Sequence, residues 1–323
     1  MKLKYLFSLV FLATLLACED EKNLTPRSSD ASSLSRFEFP QGNNSWDRDL
    51  EEIANTFKTI PVYTAFDSLD LNQRWSGTYT ISRLGETLDD EYAAFYADFF
   101  KNHIFAFLEP NLLTRVLPNY IYLVDDLRQK GSWTYGYTPL ACLWDGLDYW
   151  AFSFRAKEEN LAVIDYGNGF VYKPYKPYDL PKGSWEYKVR RTVILQNVVT
   201  KIVEKGNVAI PVEFESGGDF DYSKSFSSSM TADNYFKKLG YLGQMTPTSY
   251  NFSNPSGKMT VQTNFTNYLK LGLRYTRDSV LIVYPPEQYP LIIKYYDFTM
   301  KYLKDKYGWD LVKAAELIAV KEN

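Results

Sequence analysis

Histidine is almost absent from this sequence: His103 is the only one in 323 residues. A chain with one histidine cannot build a two-histidine metal site, and any Ser-His-Asp or Cys-His arrangement would have to use that residue. It lies in Phe99-Phe-Lys-Asn-His-Ile-Phe105, at the edge of an aromatic stripe, the setting of a packed or capping histidine. Cysteine is nearly as scarce, with Cys18 and Cys142 alone. Cys142 falls in the apolar run Pro139-Leu-Ala-Cys-Leu-Trp144, where a buried, inert thiol is expected. No Walker or GxGxxG pattern occurs, so phosphate-cradling loops of those kinds are excluded. Beyond the N-terminus no apolar stretch approaches membrane length. Charge of neither sign dominates: the formal net charge is −3, which leaves no footprint for nucleic acid.

What is present begins at the N-terminus. Lys2 and Lys4 precede an uncharged apolar run, Tyr5 to Leu16, of the length of a secretory signal and too short to span a bilayer. The run ends Leu15-Leu16-Ala17-Cys18, which resembles the lipobox of bacterial lipoproteins. That resemblance implies cleavage before Cys18, lipid on its thiol and residence in the cell envelope, at the outer membrane. Several acyl chains on one residue would anchor stably, each buried methylene adding about 0.8 kcal/mol. Removing residues 1–17 takes away Lys2 and Lys4 and moves the formal charge from −3 to −5. Residues 18–45 are polar and aperiodic, as expected of a flexible tether. Its acidic start, Glu19-Asp-Glu21, resembles the surface-export signal of Bacteroidetes lipoproteins; simple solvation of a tether is the alternative.

Residues 46–323 read as one α+β domain, long enough for two lobes. A helix is expected over Asp47–Phe57, capped by Asn44 or Ser45, with Leu50, Ile53, Ala54 and Phe57 at helical spacing. Pro61–Phe66 looks extended, and a long amphipathic helix should run from about Asp89 to Leu108 before Glu109-Pro110. Strand-like runs follow at Tyr120–Val124, Leu140–Trp144, Tyr149–Phe154 and Ala162–Asp165. After a Pro/Tyr/Lys-rich loop over Tyr172–Lys182 the pattern turns helical. The expected helices are Ser184–Lys205, Thr231–Leu239, Thr260–Leu273, Pro286–Tyr307 and Asp310–Val320. No internal repeat is visible.

The order of several segments resembles the substrate-import-associated zinc metallohydrolase lipoproteins of Bacteroidetes, HExxH-type metallopeptidases encoded beside SusC/SusD-like outer-membrane import systems. The segments are the lipobox, the early helix followed by Thr59-Ile-Pro-Val-Tyr63, Leu117-Pro-Asn-Tyr-Ile-Tyr-Leu-Val124, and Tyr302-Leu-Lys-Asp-Lys-Tyr-Gly-Trp-Asp-Leu311. The resemblance implies a zincin-like scaffold, with a small sheet, long helices and a helical C-terminal half, and outer-membrane import proteins as partners. The family's zinc is held by a helical His-Glu-x-x-His. Here the corresponding helix reads Arg191-Thr-Val-Ile-Leu-Gln-Asn-Val-Val-Thr200, placing Gln196 and Thr200 at the histidine positions and Asn197 at the base. An amide and a hydroxyl are poor zinc ligands, and Asn197 cannot accept a proton near neutral pH. The downstream segment Gln262-Thr-Asn-Phe-Thr-Asn267, where the family carries an acidic motif, has no carboxylate. A degenerate, non-catalytic scaffold without metal or other cofactor is therefore expected.

Other chemistry is weakly marked. Asp145 with Asp148, and Glu213 with Glu215, could be paired carboxylates, but with 39 acidic residues such pairs arise without function. Asp219-Phe-Asp221-Tyr-Ser223 starts like a calcium loop and then fails, with Lys224 at the glycine position and Met230 at the closing glutamate. Rings are dense at Trp133, Tyr135, Tyr137, Trp144, Tyr149, Trp150, Tyr172, Tyr175 and Tyr178. Core packing is favoured for Trp144 and Trp150. Trp133, Tyr135 and the loop residues Tyr172, Tyr175 and Tyr178 are candidates for stacking on a glycan or contacting a peptide. Three function classes stay open: an accessory binding lipoprotein of an import complex, a hydrolase acting on imported peptides or glycans, and a purely structural surface protein.

Overall fold

The computed structural model describes residues 36–73, 82–130, 136–167, 169–227 and 235–319. From Phe37 onward the chain forms one compact unit. Packing therefore begins inside the segment expected to be tether, 18–45. The Phe37 ring meets Tyr120 and Tyr122 edge-on at 5.4 and 5.9 Å. Gln41 accepts from the Tyr63 amide at 2.7 Å and donates to the Thr64 carbonyl at 2.7 Å. A ring and an amide with such partners are fixed in spite of the polar sequence around them.

Helix α1 (Ser45–Phe57) starts where the sequence places it. Asn44 caps it, and the Asp47 carboxylate returns to the Asn44 amide at 2.8 Å, the reciprocal capping arrangement. Its apolar face, Leu50, Ile53 and Ala54, is buried, and Lys58 ends it in the left-handed region at φ 57°. Strand β1 (Ile60–Val62) follows.

Helix α2 (Asp90–Phe99) is capped by Asp89, which accepts from the Tyr92 amide at 3.0 Å. The expected single helix to Leu108 does not form. The chain widens into a π turn over Phe100–Ile104 and then tightens into a 3₁₀ turn over Phe105–Phe107. The crowded rings explain the change: Phe99 and Phe100 both turn inward, onto Phe154 and Phe152 respectively, which an unbroken α-helical stripe would not allow.

The main sheet has the order β1-β3-β7-β6, with β3 (Tyr120–Leu123), β6 (Cys142–Leu143) and β7 (Tyr149–Phe152). β1, β3 and β7 run parallel, with Ile60 opposite Tyr120 and Tyr120 opposite Tyr149; β6 is an antiparallel edge. β3 and β7 are buried at every position, as their unbroken apolar runs require. The Tyr96 hydroxyl ties α2 to this sheet, donating to the Val124 carbonyl at 3.0 Å and accepting from the Phe154 amide at 2.7 Å. A second antiparallel sheet joins β2 (Arg83–Glu86), β4 (Asp125–Lys130) and β5 (Tyr137–Pro139). The hairpin β8 (Ile164–Asp165) and β9 (Val171–Tyr172) precedes the helical half.

There the 22-residue α3 (Gly183–Glu204) passes through the core. The short pair β10 (Ser225–Phe226) and β11 (Gly257–Lys258) brackets α4 (Tyr235–Lys238), and residues 231–234 of the helix expected there lie outside the described residues. Helix α5 (Val261–Gly272) packs on both α3 and α7 (Pro290–Tyr307). Gly272 permits the approach, because a Cβ there would meet the Met300 sulfur at 2.5 Å. Helix α6 (Arg277–Val283) was not legible as a helix, and α7 begins at Pro290 rather than 286. The expected helix over 310–320 is reduced to a 3₁₀ turn, Leu311–Ala315. The class is α+β, with small open sheets and a helical C-terminal half. No helix among the described residues is long and apolar enough to cross a membrane.

Candidate functional site

Gln196, Asn197 and Thr200, where the resemblance would place a zinc motif, lie in the second half of α3. Gln196 is buried and spends both ends of its amide. Its Oε1 accepts from Arg274 Nη2 at 2.7 Å, and its Nε2 donates to the carbonyls of Pro247 and Ser249 at 3.0 Å each. Asn197 donates to the same Pro247 carbonyl at 2.8 Å and to the Val193 carbonyl at 2.9 Å. The Thr200 hydroxyl turns back on its own helix and donates to the Gln196 carbonyl at 2.7 Å. The structure thus brings Gln196 and Asn197 together, as a latch that holds the loop 246–250 against α3. They are not laid out on an open cleft floor.

Arg274, just beyond the end of α5, completes the latch. It is 1% exposed. Besides Gln196, its guanidinium donates to the carbonyls of Tyr250 and of Lys270, the latter at 2.7 Å, and lies beside the Met245 sulfur. The Tyr250 and Phe252 rings flank it at 5.1 and 5.2 Å from its central carbon. No carboxylate pairs with it among the described residues, and burial pushes its pKa down to about 10. On α5, Lys270 is pushed down to about 8, first by burial and then by Arg274. A permanent cation held by neutral acceptors thus touches Gln196, one of the two positions at which the resemblance would place a zinc ligand.

These residues do not fit zinc. A divalent ion beside Arg274 would meet like charge, the Gln196 oxygen already serves the guanidinium, and Asn197 and Thr200 offer no anionic or imidazole donor. On α5, Asn264 and Asn267 are both buried, and Asn267 donates to the Gly243 carbonyl at 2.8 Å. Among the described residues no group of three or more His, Cys, Asp or Glu could hold a metal ion.

The remaining sequence candidates scatter. Cys18, Trp133 and Tyr135 lie outside the described residues. Tyr172 is exposed on β9, whereas Tyr175 is half-buried and its hydroxyl accepts from Thr138 at 3.1 Å. Tyr178, expected to be exposed, is packed: its hydroxyl is buried and Arg190 lies over its ring at 4.8 Å. The backbone of Tyr178 bridges to Ala156, which ties this end of the loop to the chain just after β7. Trp150 is buried and meets Trp144 edge-on at 4.9 Å, as core packing requires. Cys142 is half-buried rather than buried, and the surroundings of its thiol push it up to about 12, which disfavours the thiolate. Asp145 is spent on a two-pronged pair with Arg83 at 2.7 and 2.8 Å. Asp219 pairs with Lys294, and Asp221 folds onto Ser223.

Sequence reasoning missed the buried cations. Arg191 is 1% exposed, with Nη1 3.3 Å from His103 Nδ1, Nη2 on the Glu316 carbonyl, and its central carbon 5.1 Å from the Phe107 ring. The available signal was weak: each arginine stands within or beside an apolar helical run, where a solvated charge is out of place.

No protein family matches the chain, and no curated protein does. Among solved structures it is similar to a candidate zinc-binding metallo-peptidase from Bacteroides caccae, at 14% identity, with 84% of this chain and 89% of that chain covered and a TM-score of 0.45.

Replacing Gln196 by Ala should cost about 2–4 kcal/mol in urea unfolding, because a buried guanidinium loses an acceptor. Asn197→Ala should cost about 1 kcal/mol. Equal costs would contradict the latch. Lys270 gives a pH dependence. Below about pH 8 folded and unfolded chains both carry its charge and the burial penalty is complete. As pH rises through 8 the native state loses the proton while the unfolded chain keeps it, so stability rises, by about 1–2 kcal/mol between pH 7.5 and 9.5. Lys270→Met should flatten that rise.

Proposed function

We propose that this chain is a non-catalytic, metallopeptidase-like lipoprotein of the bacterial envelope that helps an outer-membrane import system of the SusC/SusD kind capture a peptide or glycan. The observation that carries the non-catalytic part is Arg274 bound to Gln196. The helix that would present zinc ligands instead presents an amide to a buried cation, under a loop anchored by both Gln196 and Asn197. Restoring a hydrolytic centre would require removing the guanidinium as well as supplying histidines. The envelope and import assignments come from the lipobox resemblance at Cys18 and from the order of segments shared with import-associated lipoproteins. A zincin-like scaffold belongs to the same reading.

Purified protein exposed to excess zinc and then desalted should retain well below one zinc per chain by elemental analysis, and should leave a peptide library uncut. Stoichiometric zinc together with peptide cleavage would sink the non-catalytic reading. In cells fed labelled palmitate the wild-type chain should take up label and Cys18→Ser should not; a label that survives the substitution would refute the anchor.

A further inference from the structure

A second cavity lies away from the Gln196–Arg274 latch. It has a volume of about 560 Å³ and lies between α2, the π turn and the first turns of α3, with Ile318 on its rim. That volume is within the roughly 300–1,000 Å³ of small-ligand sites. Its wall carries Glu91, Phe95, Asp98, Asn102, His103 and Tyr187.

His103 sets the character of this cavity. Its side chain is 95% buried, being 5% exposed, and stacks on Phe99 at 5.3 Å. The π turn, a distortion frequent at functional sites, carries the ring. Arg191 Nη1 lies 3.3 Å from Nδ1, and a guanidinium only donates, so Nδ1 must be the acceptor. The proton is then on Nε2. Burial first, and Arg191 second, lower the pKa of the ring and keep it neutral, against the opposing pull of Asp98. Nε2–H has no protein partner among the described residues, and His103 lines the cavity, so a donor of fixed tautomer is left beside it.

The other groups are complementary to that donor. Glu91 and Asp98 supply carboxylate acceptors, and Asn102 donates to Asp98 at 2.8 Å, holding it in place. Phe95 and Tyr187, 5.8 Å apart and nearly perpendicular, provide apolar faces. At the His103 ring the charge of Asp98 is opposed by that of the buried Arg191. Many acceptors, one fixed donor and flat rings suit a neutral molecule with several hydroxyls.

We infer that this cavity binds a neutral sugar ring, with Tyr187 and Phe95 against its apolar face and His103 Nε2–H, Asp98 and Glu91 on its hydroxyls. The inference rests on the capture role proposed above for its biological context, and on the cavity's own geometry for its chemistry.

Calorimetric titration of the full chain with free glucose, galactose, mannose, xylose, N-acetylglucosamine, maltose and cellobiose, with lysine as the cationic comparison, tests it. At least one sugar should bind with a Kd of about 1 mM or tighter. Tyr187→Ala and Asp98→Asn should each weaken that binding about tenfold or more. Asp98 is exposed, so the second variant keeps the result interpretable if the first is poorly folded. No sugar binding at about 10 mM, sugar binding indifferent to Asp98→Asn, or binding of lysine in place of sugar would each overturn the inference. A protein that binds no sugar, retains no zinc and cleaves no peptide would overturn this site alone and leave the non-catalytic reading standing.

Discussion

The rest of the C-terminal half depends on one constraint: α3 runs through the core, so its polar groups must find partners inside the protein. Ten of its residues are buried, among them Lys188, Arg191, Thr192 and Gln196. Leaving such groups unpaired would cost several kcal/mol in total, a large share of the net stability of any domain. Arg274 meets the constraint without a carboxylate, through carbonyl oxygens, an amide oxygen and ring faces, and Arg191 meets it in part, through a carbonyl, an imidazole nitrogen and a ring face, with its Nε left unpartnered among the described residues. Neutral acceptors hold a guanidinium in place without adding a second buried charge to desolvate. The latch at Gln196 and the fixed tautomer of His103 are two consequences of this arrangement.

The aromatic richness is spent largely in the core. Phe214 touches Phe220, Phe265, Tyr268 and Tyr295, with centroids 5.0 to 5.5 Å apart. Buried tyrosines in this layer also fasten loops: Tyr268 donates to the Gly240 carbonyl at 2.6 Å, Tyr296 to Tyr275 at 2.7 Å, and Tyr295 to Glu213 at 3.0 Å. A ring with a polar tip packs like phenylalanine and still satisfies a backbone carbonyl, which suits a half with long irregular connections. The rings of the proposed sugar site, Phe95 and Tyr187, are on helices rather than in the tyrosine-rich loop.

Much of the fold was legible. Asn44, Asp89 and Thr260 cap helices as their residue types suggest, and β3 and β7 read as strands because both of their faces are apolar. β4 was not, since it opens on Asp125 and Asp126. Both can be buried because Arg155, Asn160 and the Lys157 amide come to them from beyond β4, alongside Arg128 on β4 itself. The break in α2 was hidden because the aromatic stripe continues through the π turn.

At the site the division follows the range of the interaction. The count of one histidine, by itself, excluded a two-histidine centre, since composition cannot be rescued by folding. Residue type alone also identified Gln196, Asn197 and Thr200 as unfit zinc ligands. What Gln196 bonds to instead was settled only by the tertiary structure. Arg274 lies 78 residues from Gln196 along the chain, and Arg191 lies 88 from His103. Hydrogen bonds across such separations leave no periodicity or spacing to read, because they exist only once the helices have packed.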